Sequence, residues 1–290
     1  MSPNSSQKGT SEPDWSKAYR NTTDVLWYNP DIDSKVNSEI RDLLETYSEM
    51  PPSDVLKHVR TIRDKAWAIR SYPCTGLGLF LNPMLPHTPP YKLIIQRLQA
   101  GQSLLDIGCF LGQDLRRLVA DGAPADRLFA LDVVNHWDLG YEMFRDIDKF
   151  SARYIETDIL NPSHELQELR GTMHIISMTH VLHQWDWNTQ IKALKELVAL
   201  SSGSGMIVGF QIGTVGEREK QPSDLTRSAV YLHDPASFQE IWNVVGQETD
   251  TKWECEACLK TWADAGWDPK DVEYLGDDAR ILQWVVNRLP

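Results

Sequence analysis

Residues 104–114 read LLDIGCFLGQD, an apolar run followed by a glycine-containing turn and the opening of a helix. At the end of a first parallel strand, such a turn lets the backbone approach a ligand closely beside the N–H groups of the helix start. A dinucleotide site, as in a nicotinamide oxidoreductase, is the usual first interpretation. Asp106 opposes it, because a carboxylate before the glycines would repel a pyrophosphate but would suit the positive end of a methionine-like ligand.

Apolar runs of strand length alternate with helix-length segments after residue 101, and they cover 103–107, 128–133, 153–157, 174–178 and 206–212. Continuous apolar strands separated by helices are typical of a parallel sheet that is covered on both faces. Two later runs, 252–259 and 281–286, are separated by a loop and could be antiparallel. Before them, Asp234 and Pro235 predict a helix start with an N-cap aspartate and a first-turn proline. The pattern predicts an α/β fold.

The chain before residue 101 has a different pattern. Residues 1–20 are rich in serine, proline and charge, which predicts a disordered tail. Residues 21–100 predict an N-terminal helical cap or lid over the remainder, 101–290. Its helices are expected within 33–47, from Ser53 as N-cap to before Pro73, and over 91–98.

Acidic residues also end the second and third apolar runs. Asp132 ends the second, and Asp158 with Ile159 follows the third. An acid after the second strand accepts hydrogen bonds from ribose hydroxyls, and an acid with an apolar neighbour after the third could accept the adenine amino group and cover its ring. Each acid alone is equally well explained as a solvated loop residue or a helix cap. Together with Asp106 they would converge on one crevice, which indicates a nucleoside ligand.

Charge and cysteine content limit the remaining choices. The net charge of -12 disfavours nucleic acid, and the absence of a basic amphipathic stretch disfavours an anionic membrane surface. A small-molecule acceptor fits better. The four cysteines suggest no disulfide framework, and Cys255 and Cys258 lie on a predicted strand rather than in a metal site. No apolar leader or spanning segment is seen, so a cytoplasmic location is expected. A homodimer is compatible with the pattern but not required by it.

The motif from Asp106 through Gly108 and Phe110 to Gly112 resembles the D-x-G-x-G-x-G motif of class I S-adenosylmethionine-dependent methyltransferases, with phenylalanine at the middle glycine. The resemblance is closer to a fungal group of terpenoid and meroterpenoid biosynthesis, several of whose members methylate carboxylic acids. The matching stretches include IRDKAW at 62–67, YPCTG at 72–76, HQWDW at 183–187 and HDPASF at 233–238. They extend from about residue 40 to the C-terminus.

The resemblance implies a Rossmann-like sheet of seven strands, mostly parallel with the last strand antiparallel, and S-adenosylmethionine as cofactor. It places Asp106, Gly108 and Gln113 along the methionine and ribose, Asp132 on the ribose hydroxyls, and Asp158 with Ile159 on the adenine. Phe110 and Thr179 complete the predicted cofactor-binding set. Gly112 could carry the close approach that the missing middle glycine would otherwise allow.

The loop after the fourth run contains the candidate catalytic residue, His183. It could act as a general base, could hold the acceptor oxygen in line with the methyl group, or could be a structural histidine bonded to a backbone carbonyl. A carboxylic acid needs no base, whereas a phenol would gain from one. The further candidates for substrate binding are Trp67, Tyr72, His180, Gln211 and His233.

These observations favour an O-methyltransferase that acts on a small acid of fungal secondary metabolism and forms a methyl ester. A phenol or hydroxyl acceptor is one alternative. A cyclase or pericyclase that retains the cofactor without methyl transfer is another, and a non-catalytic binding module is a third. No metal is expected at the site.

Overall fold

The computed structural model describes residues 22–222 and 228–290, so the predicted tail, 1–20, lies outside the described residues. Its main sheet has seven strands in the order β3-β2-β1-β4-β5-β9-β8. These strands are β1 (Leu104–Ile107), β2 (Leu128–Asp132), β3 (Arg153–Glu156), β4 (Met173–Thr179), β5 (Ser201–Thr214), β8 (Lys252–Lys260) and β9 (Ala279–Leu289). Strands β6 (Glu219–Lys220) and β7 (Val230–Tyr231) form a separate two-stranded ribbon.

The sheet is parallel from β3 to β5, and β9 is antiparallel to both β5 and β8. This arrangement confirms the predicted seven-stranded sheet with an antiparallel last strand. Strands β1, β2 and β4 are mostly apolar and buried, which agrees with a sheet covered on both faces, whereas the edge strand β3 exposes Arg153 and Glu156. The reversal of strand order at β1 and β4 opens a crevice at the carboxyl ends, where ligands bind in such sheets.

Nine α-helices connect these strands or precede them within the described residues. They are α1 (Ser38–Asp42), α2 (Val55–Ile69), α3 (Pro73–Gly76), α4 (Tyr91–Gln99), α5 (Gln113–Ala120), α6 (Trp137–Phe144), α7 (His164–Gln167), α8 (Trp187–Leu200) and α9 (Pro235–Thr249). The predicted start of α9 is confirmed, because the Asp234 side chain accepts from the Ser237 N–H in a reciprocal capping box. Among the residues that the structure describes, no helix is both long and apolar enough to cross a lipid bilayer.

Near the N-terminus, the helix predicted within 33–47 is present, whereas the predicted N-cap of the second helix was wrong. The segment 33–47 is broken into a 3-10 turn, α1 and a π-helical turn, because the Asn37 side chain accepts from two N–H groups and begins the helix there. Ser53 does not cap α2. Its hydroxyl donates to the carboxylate of Asp54, the residue that occupies the N-cap position without a capping hydrogen bond.

The segment before β1 packs onto the rest of the chain through three apolar clusters, one of which involves the turn after β1 and α6. Residues of α1, α2 and the connection after α3 share this cluster with Phe110, Leu111 and three residues of α6. Its edge holds a fully buried ion pair, in which the Arg116 guanidinium donates two hydrogen bonds to the Asp146 carboxylate. The Tyr47 hydroxyl donates to the same carboxylate across 2.9 Å. The N-terminal segment is therefore tied to the sheet domain by apolar and polar contacts.

Candidate functional site

A cavity of about 540 Å³ lies at the carboxyl ends of the parallel strands. Its floor consists of strand ends and the loops that follow them, from Ile107 and Gly108 after β1 to Thr179 after β4. Its walls come from three other parts of the chain: the connection after α2, the β6–β7 ribbon, and the segment between β8 and β9. The volume and the largely apolar lining are those of a small-molecule site.

The turn after β1 holds three residues in left-handed backbone conformations, Gly108, Phe110 and Gly112. A Cβ at Gly108 would lie 2.5 Å from the Val181 Cγ2 atom, and one at Gly112 would lie 2.5 Å from Arg116 Nη1. Both glycines thus make room for side chains of the protein itself. The predicted close approach of Gly112 to a ligand has no support in this geometry, because Arg116 occupies that space.

Phe110 takes the place of the middle glycine of the motif at φ 51°. A left-handed conformation costs a residue with a Cβ about 1–2 kcal/mol. Its N–H donates to the Asp132 carboxylate across 2.9 Å, and its ring packs against Phe80 and His136. These contacts hold Phe110 in the left-handed conformation that a glycine would adopt at lower cost.

Asp132 and Asp158 both line the cavity, as predicted from their strand-end positions. The Asp132 carboxylate is oriented by two backbone donors, the N–H groups of Phe110 and Val134. The Asp158 carboxylate accepts from the Leu160 N–H. Carboxylate oxygens can accept more than one hydrogen bond, so this orientation is compatible with ribose and adenine donors. Ile159 and Thr179 also line the cavity.

Asp106 does not lie on the cavity wall, although it begins the motif. Burial and the nearby Asp114 carboxyl raise the pKa of Asp106 to about 8, while a hydrogen bond with Ser177 acts against this increase. Burial also raises the pKa of Asp114 to about 6, although the N–H groups of Leu85 and Met84 hydrogen-bond to it. With this raised pKa, the Asp106 carboxyl is mostly protonated near pH 7 in the free protein. The sequence instead predicts an ionised carboxylate that pairs with the positive end of the methionine.

The raised pKa values of this carboxyl pair predict that its own contribution to stability falls as pH rises from about 4 to about 8. Unfolded aspartates lose their protons near pH 4, whereas Asp114 and Asp106 keep theirs up to about pH 6 and 8 in the folded chain. Asp106→Asn imitates the protonated acid, so its free energy of unfolding relative to the wild type is expected to rise by roughly 3–4 kcal/mol between about pH 5 and pH 8. Urea unfolding at both pH values measures it, with the exposed Asp148→Asn as control. An unchanged pH dependence in Asp106→Asn would contradict this account.

The chain fits the cofactor that the motif implies. Gln113 opens α5 beside the glycine turn, and its side-chain oxygen is buried without a hydrogen-bond partner among the described residues. A buried unpaired acceptor costs about 1–3 kcal/mol unless a ligand donor satisfies it. Gln113 is not itself on the cavity wall. With Asp132, Asp158 and Ile159 on that wall, the polar groups suit a nucleoside that carries an amino acid.

The opposite part of the cavity contains the two predicted histidines. His180 and His183 both line it, with ring centroids 6.0 Å apart. Nε2 of His180 and Nδ1 of His183 are buried and have no hydrogen-bond partner among the described residues. Burial lowers the pKa of His180 to about 4, and burial together with His180 lowers that of His183 to about 3. Both rings are therefore neutral near pH 7.

Aromatic side chains also line the cavity. The predicted Tyr72 is on the wall, and the unpredicted Trp185, Trp267 and Tyr274 join it. Trp267 lies 5.1 Å from the His180 ring, measured between centroids. The indole N–H groups of Trp185 and Trp267 are buried without a partner in the part of the chain that the structure describes. The lining therefore combines an apolar surface with two indole N–H donors that have no acceptor among the described residues.

Three predicted substrate residues lie off the cavity wall, and two of them, Trp67 and His233, have hydrogen-bond partners within the protein. The Trp67 indole is buried in an apolar cluster and donates to the Thr22 carbonyl. His233 is fully buried, with its ring nitrogens bonded to Ser237 and Gln190. Gln211 was expected after β5 but lies within it and is almost fully buried, and its neighbour Ile212 lines the cavity instead.

The cavity also contains a cation that the sequence did not reveal. Lys220 lies on β6. Among the residues that the structure describes, 22–222 and 228–290, it is the one lysine or arginine that lines the cavity. Arg218, two residues earlier in the chain, pairs with Asp234, and Arg227 lies outside the described residues. No spacing marked Lys220, because the ribbon that carries it is only two residues long on each strand.

Comparisons with known proteins agree with this geometry. Residues 27–81 match the family model of the meroterpenoid methyltransferase N-terminal domain. O-methyltransferase phiE, from a fungal species, is 34% identical over 252 residues, which is 85% of this chain and 83% of that protein. The Asnovolin E/Chermesin D methyltransferase nvfJ of Aspergillus novofumigatus is 36% identical over 230 residues, which is 77% of this chain and 81% of that protein.

Solved structures share the fold at low sequence identity. A Burkholderia thailandensis 1,6-didemethyltoxoflavin-N1-methyltransferase with bound S-adenosylhomocysteine has a TM-score of 0.51 at 12% identity, covering 83% of this chain and 93% of that one. A Haemonchus contortus phosphoethanolamine N-methyltransferase 2 in complex with S-adenosyl-L-methionine has a TM-score of 0.50 at 13% identity, covering 87% and 60%.

Proposed function

Because the chain belongs to a family of fungal S-adenosylmethionine-dependent O-methyltransferases, we propose that it methylates the carboxylate of a terpenoid or meroterpenoid intermediate and forms a methyl ester. The observation that carries this proposal is one continuous cavity. It joins the strand-end carboxylates Asp132 and Asp158 to a wall of aromatic and neutral histidine side chains. A bulky apolar acid suits that wall, and the nucleoside suits the carboxylates.

The bound cofactor supplies an electrophilic methyl group on a sulfonium. Asp132 and Asp158 hold the nucleoside by accepting hydrogen bonds, and Ile159 covers it with an apolar surface. The apolar lining excludes water, so an acceptor oxygen loses solvation and reacts more readily. Positioning of the acceptor then supplies much of the rate, because methyl transfer is an in-line displacement.

The state of His183 favours a carboxylate over a phenol. Burial and His180 lower its pKa to about 3, so its neutral ring accepts protons poorly. Deprotonation of a phenol, with a pKa of about 10, by so weak a base is far uphill. A carboxylic acid arrives ionised and needs no base. In this proposal His183 donates a hydrogen bond from its neutral ring or packs against the acceptor, and it orients rather than deprotonates it.

Incubation of the purified chain with S-adenosylmethionine and a panel of acceptors tests the proposal. Farnesoic acid, farnesol and a prenylated phenol provide an acid, an alcohol and a phenol of comparable apolar character. Ester formation from the acid, detected by mass spectrometry as the gain of one methyl group, is the expected result. Methylation of the phenol alone would contradict the carboxylate assignment. Isomerisation of an acceptor without a mass change would support the cyclase alternative.

The proposal includes a reducing, cytoplasmic environment. The described cysteines, Cys74, Cys109, Cys255 and Cys258, are all free thiols. Burial raises the pKa of Cys74, which lines the cavity, to about 11, so that thiol stays protonated and does not compete as a nucleophile for the methyl group. A homodimer remains a prediction.

A further inference from the structure

Lys220 places a positive charge on the cavity lining, whose other charged members are the strand-end aspartates Asp132 and Asp158. Its side chain is about one third exposed and lies beside Val230, its partner across the ribbon, which also lines the cavity. The histidines of the cavity are neutral near pH 7, since burial lowers their pKa values. Lys220 is therefore the side chain of the described cavity that can pair with an anion.

In the free protein the Lys220 ammonium pairs with Asp278, with 2.6 Å between Nζ and Oδ2. Asp278 does not depend on this lysine alone, because the Thr214 hydroxyl also donates to its Oδ2 atom. The Lys220 hydrogen bond is the largest factor that lowers the pKa of the Asp278 carboxyl. If the lysine turns toward the cavity, the carboxylate keeps the hydrogen bond from Thr214. It also stays ionised near pH 7, because the ordinary pKa of an aspartate is about 4. An exposed pair of this kind is worth at most about 1 kcal/mol, so the exchange costs little.

The ribbon that carries Lys220 is attached to the acceptor wall. The Tyr231 N–H donates to the Trp185 carbonyl, and the Gln190 side chain donates to the carbonyls of both Trp185 and Tyr231. Trp185 itself lines the cavity near His183. These bonds fix the position of the ribbon relative to the wall where the acceptor would lie.

We propose that Lys220 is the specificity-determining residue that recognises the carboxylate of the acceptor, and that the acceptor displaces Asp278 from it. This inference rests on the proposed function. The acceptor anion forms an ion pair with the ammonium inside a wall of low polarity, where such pairs are stronger than in water. Asp278 holds the lysine when no acid is present and prevents an unpaired cation in the cavity.

The same exchange explains how the product would leave. A bond between the carboxylate oxygen and the methyl carbon forms as the bond between that carbon and the sulfur breaks, so the acceptor loses its negative charge. The neutral ester no longer pairs with Lys220, and Asp278 recaptures the ammonium. Acid and ester are therefore distinguished by charge at one side chain.

Binding of farnesoate and of methyl farnesoate to the full chain with S-adenosylhomocysteine present tests the assignment. Tryptophan fluorescence and calorimetry follow binding. The wild-type protein is expected to bind farnesoate about tenfold more tightly than the ester, a low value for a charge pair because Lys220 is partly exposed. Lys220→Met is expected to remove this preference by weakening farnesoate alone. Lys220→Arg restores most of it, and Asp278→Asn tightens farnesoate binding by removing the competitor.

Lys195→Met is the matched control, because Lys195 also forms an ion pair, with Glu248, but lies on α8 away from the cavity wall. The assignment is overturned if Lys220→Met weakens the binding of farnesoate and of methyl farnesoate equally. It is also overturned if the wild-type protein does not prefer farnesoate. If acids are esterified but the preference survives in Lys220→Met, the Lys220 inference fails and the proposed function stands. If the preference depends on Lys220 but no acid is esterified, the proposed function fails and the anion site stands.

Discussion

Arg116→Met is expected to lower the free energy of unfolding by about 3–5 kcal/mol, because it leaves a buried carboxylate without its partner. Both side chains of the Arg116–Asp146 pair are completely buried. The guanidinium donates two bonds to Asp146 and a third to the Leu111 carbonyl, and it lies 4.1 Å from the Phe150 ring centroid. Urea unfolding monitored by circular dichroism measures the loss.

Two further variants make this result interpretable. Arg153→Met breaks an ion pair with Glu165 in which both side chains are 46% exposed, and it is expected to change stability by less than about 1 kcal/mol. Arg116→Met combined with Asp146→Leu removes both buried charges and is expected to recover part of the loss. If Arg116→Met is no more destabilising than Arg153→Met, the buried ion pair does not hold the glycine turn after β1 and helix α6 together.

Asp132→Asn is expected to weaken the binding of S-adenosylhomocysteine by about 10- to 100-fold, the effect of losing a charge-assisted hydrogen bond. The carboxylate now accepts from two backbone N–H groups, those of Phe110 and Val134, one at each oxygen. An amide has one oxygen and one NH₂ group, so one of these N–H groups would face another donor. The glycine turn and the cofactor contact are therefore expected to be disturbed together. Calorimetry with the purified variant measures the affinity.

Asp138→Asn is the matched control, because this exposed aspartate lies six residues further along and outside the cavity. Its affinity for S-adenosylhomocysteine is expected to equal that of the wild type. Thermal melting separates a local effect from unfolding in Asp132→Asn. Wild-type affinity in a folded Asp132→Asn variant would remove this residue from the cofactor site and weaken the assignment of the strand-end carboxylates.

The part of the cavity that we assign to the cofactor was largely predictable from local patterns. Asp132, Asp158 and Ile159 follow apolar strand runs, and parallel strands connected by helices bring their carboxyl ends to one edge. Asp106 shows where this reasoning reaches its limit. Its position in the motif is as predicted, but its carboxyl is buried near Asp114, a residue whose proximity depends on how α5 packs.

The acceptor half was less predictable. Tyr72, His180 and His183 line the cavity, whereas Trp67, Gln211 and His233 are taken up by packing. No alternation in the sequence separates these groups, because residues of both groups lie beside apolar neighbours, whether in a helix, in a strand or in a connection. Which face of such a segment points into the cavity depends on the neighbours it meets.

The sequence by itself determined how strands and helices follow one another along the chain. It also determined the glycine turn and the carboxylates at the strand ends. Hydrophobic periodicity and turn chemistry act over a few residues, so they can be read from a short stretch of sequence. Only the tertiary structure decided which side chains form the acceptor wall. Trp267 and Tyr274 reach it from the segment between β8 and β9, and Lys220 from a two-residue strand. These contacts join residues far apart in the chain, and they exist only after the sheet and its covering segments have packed.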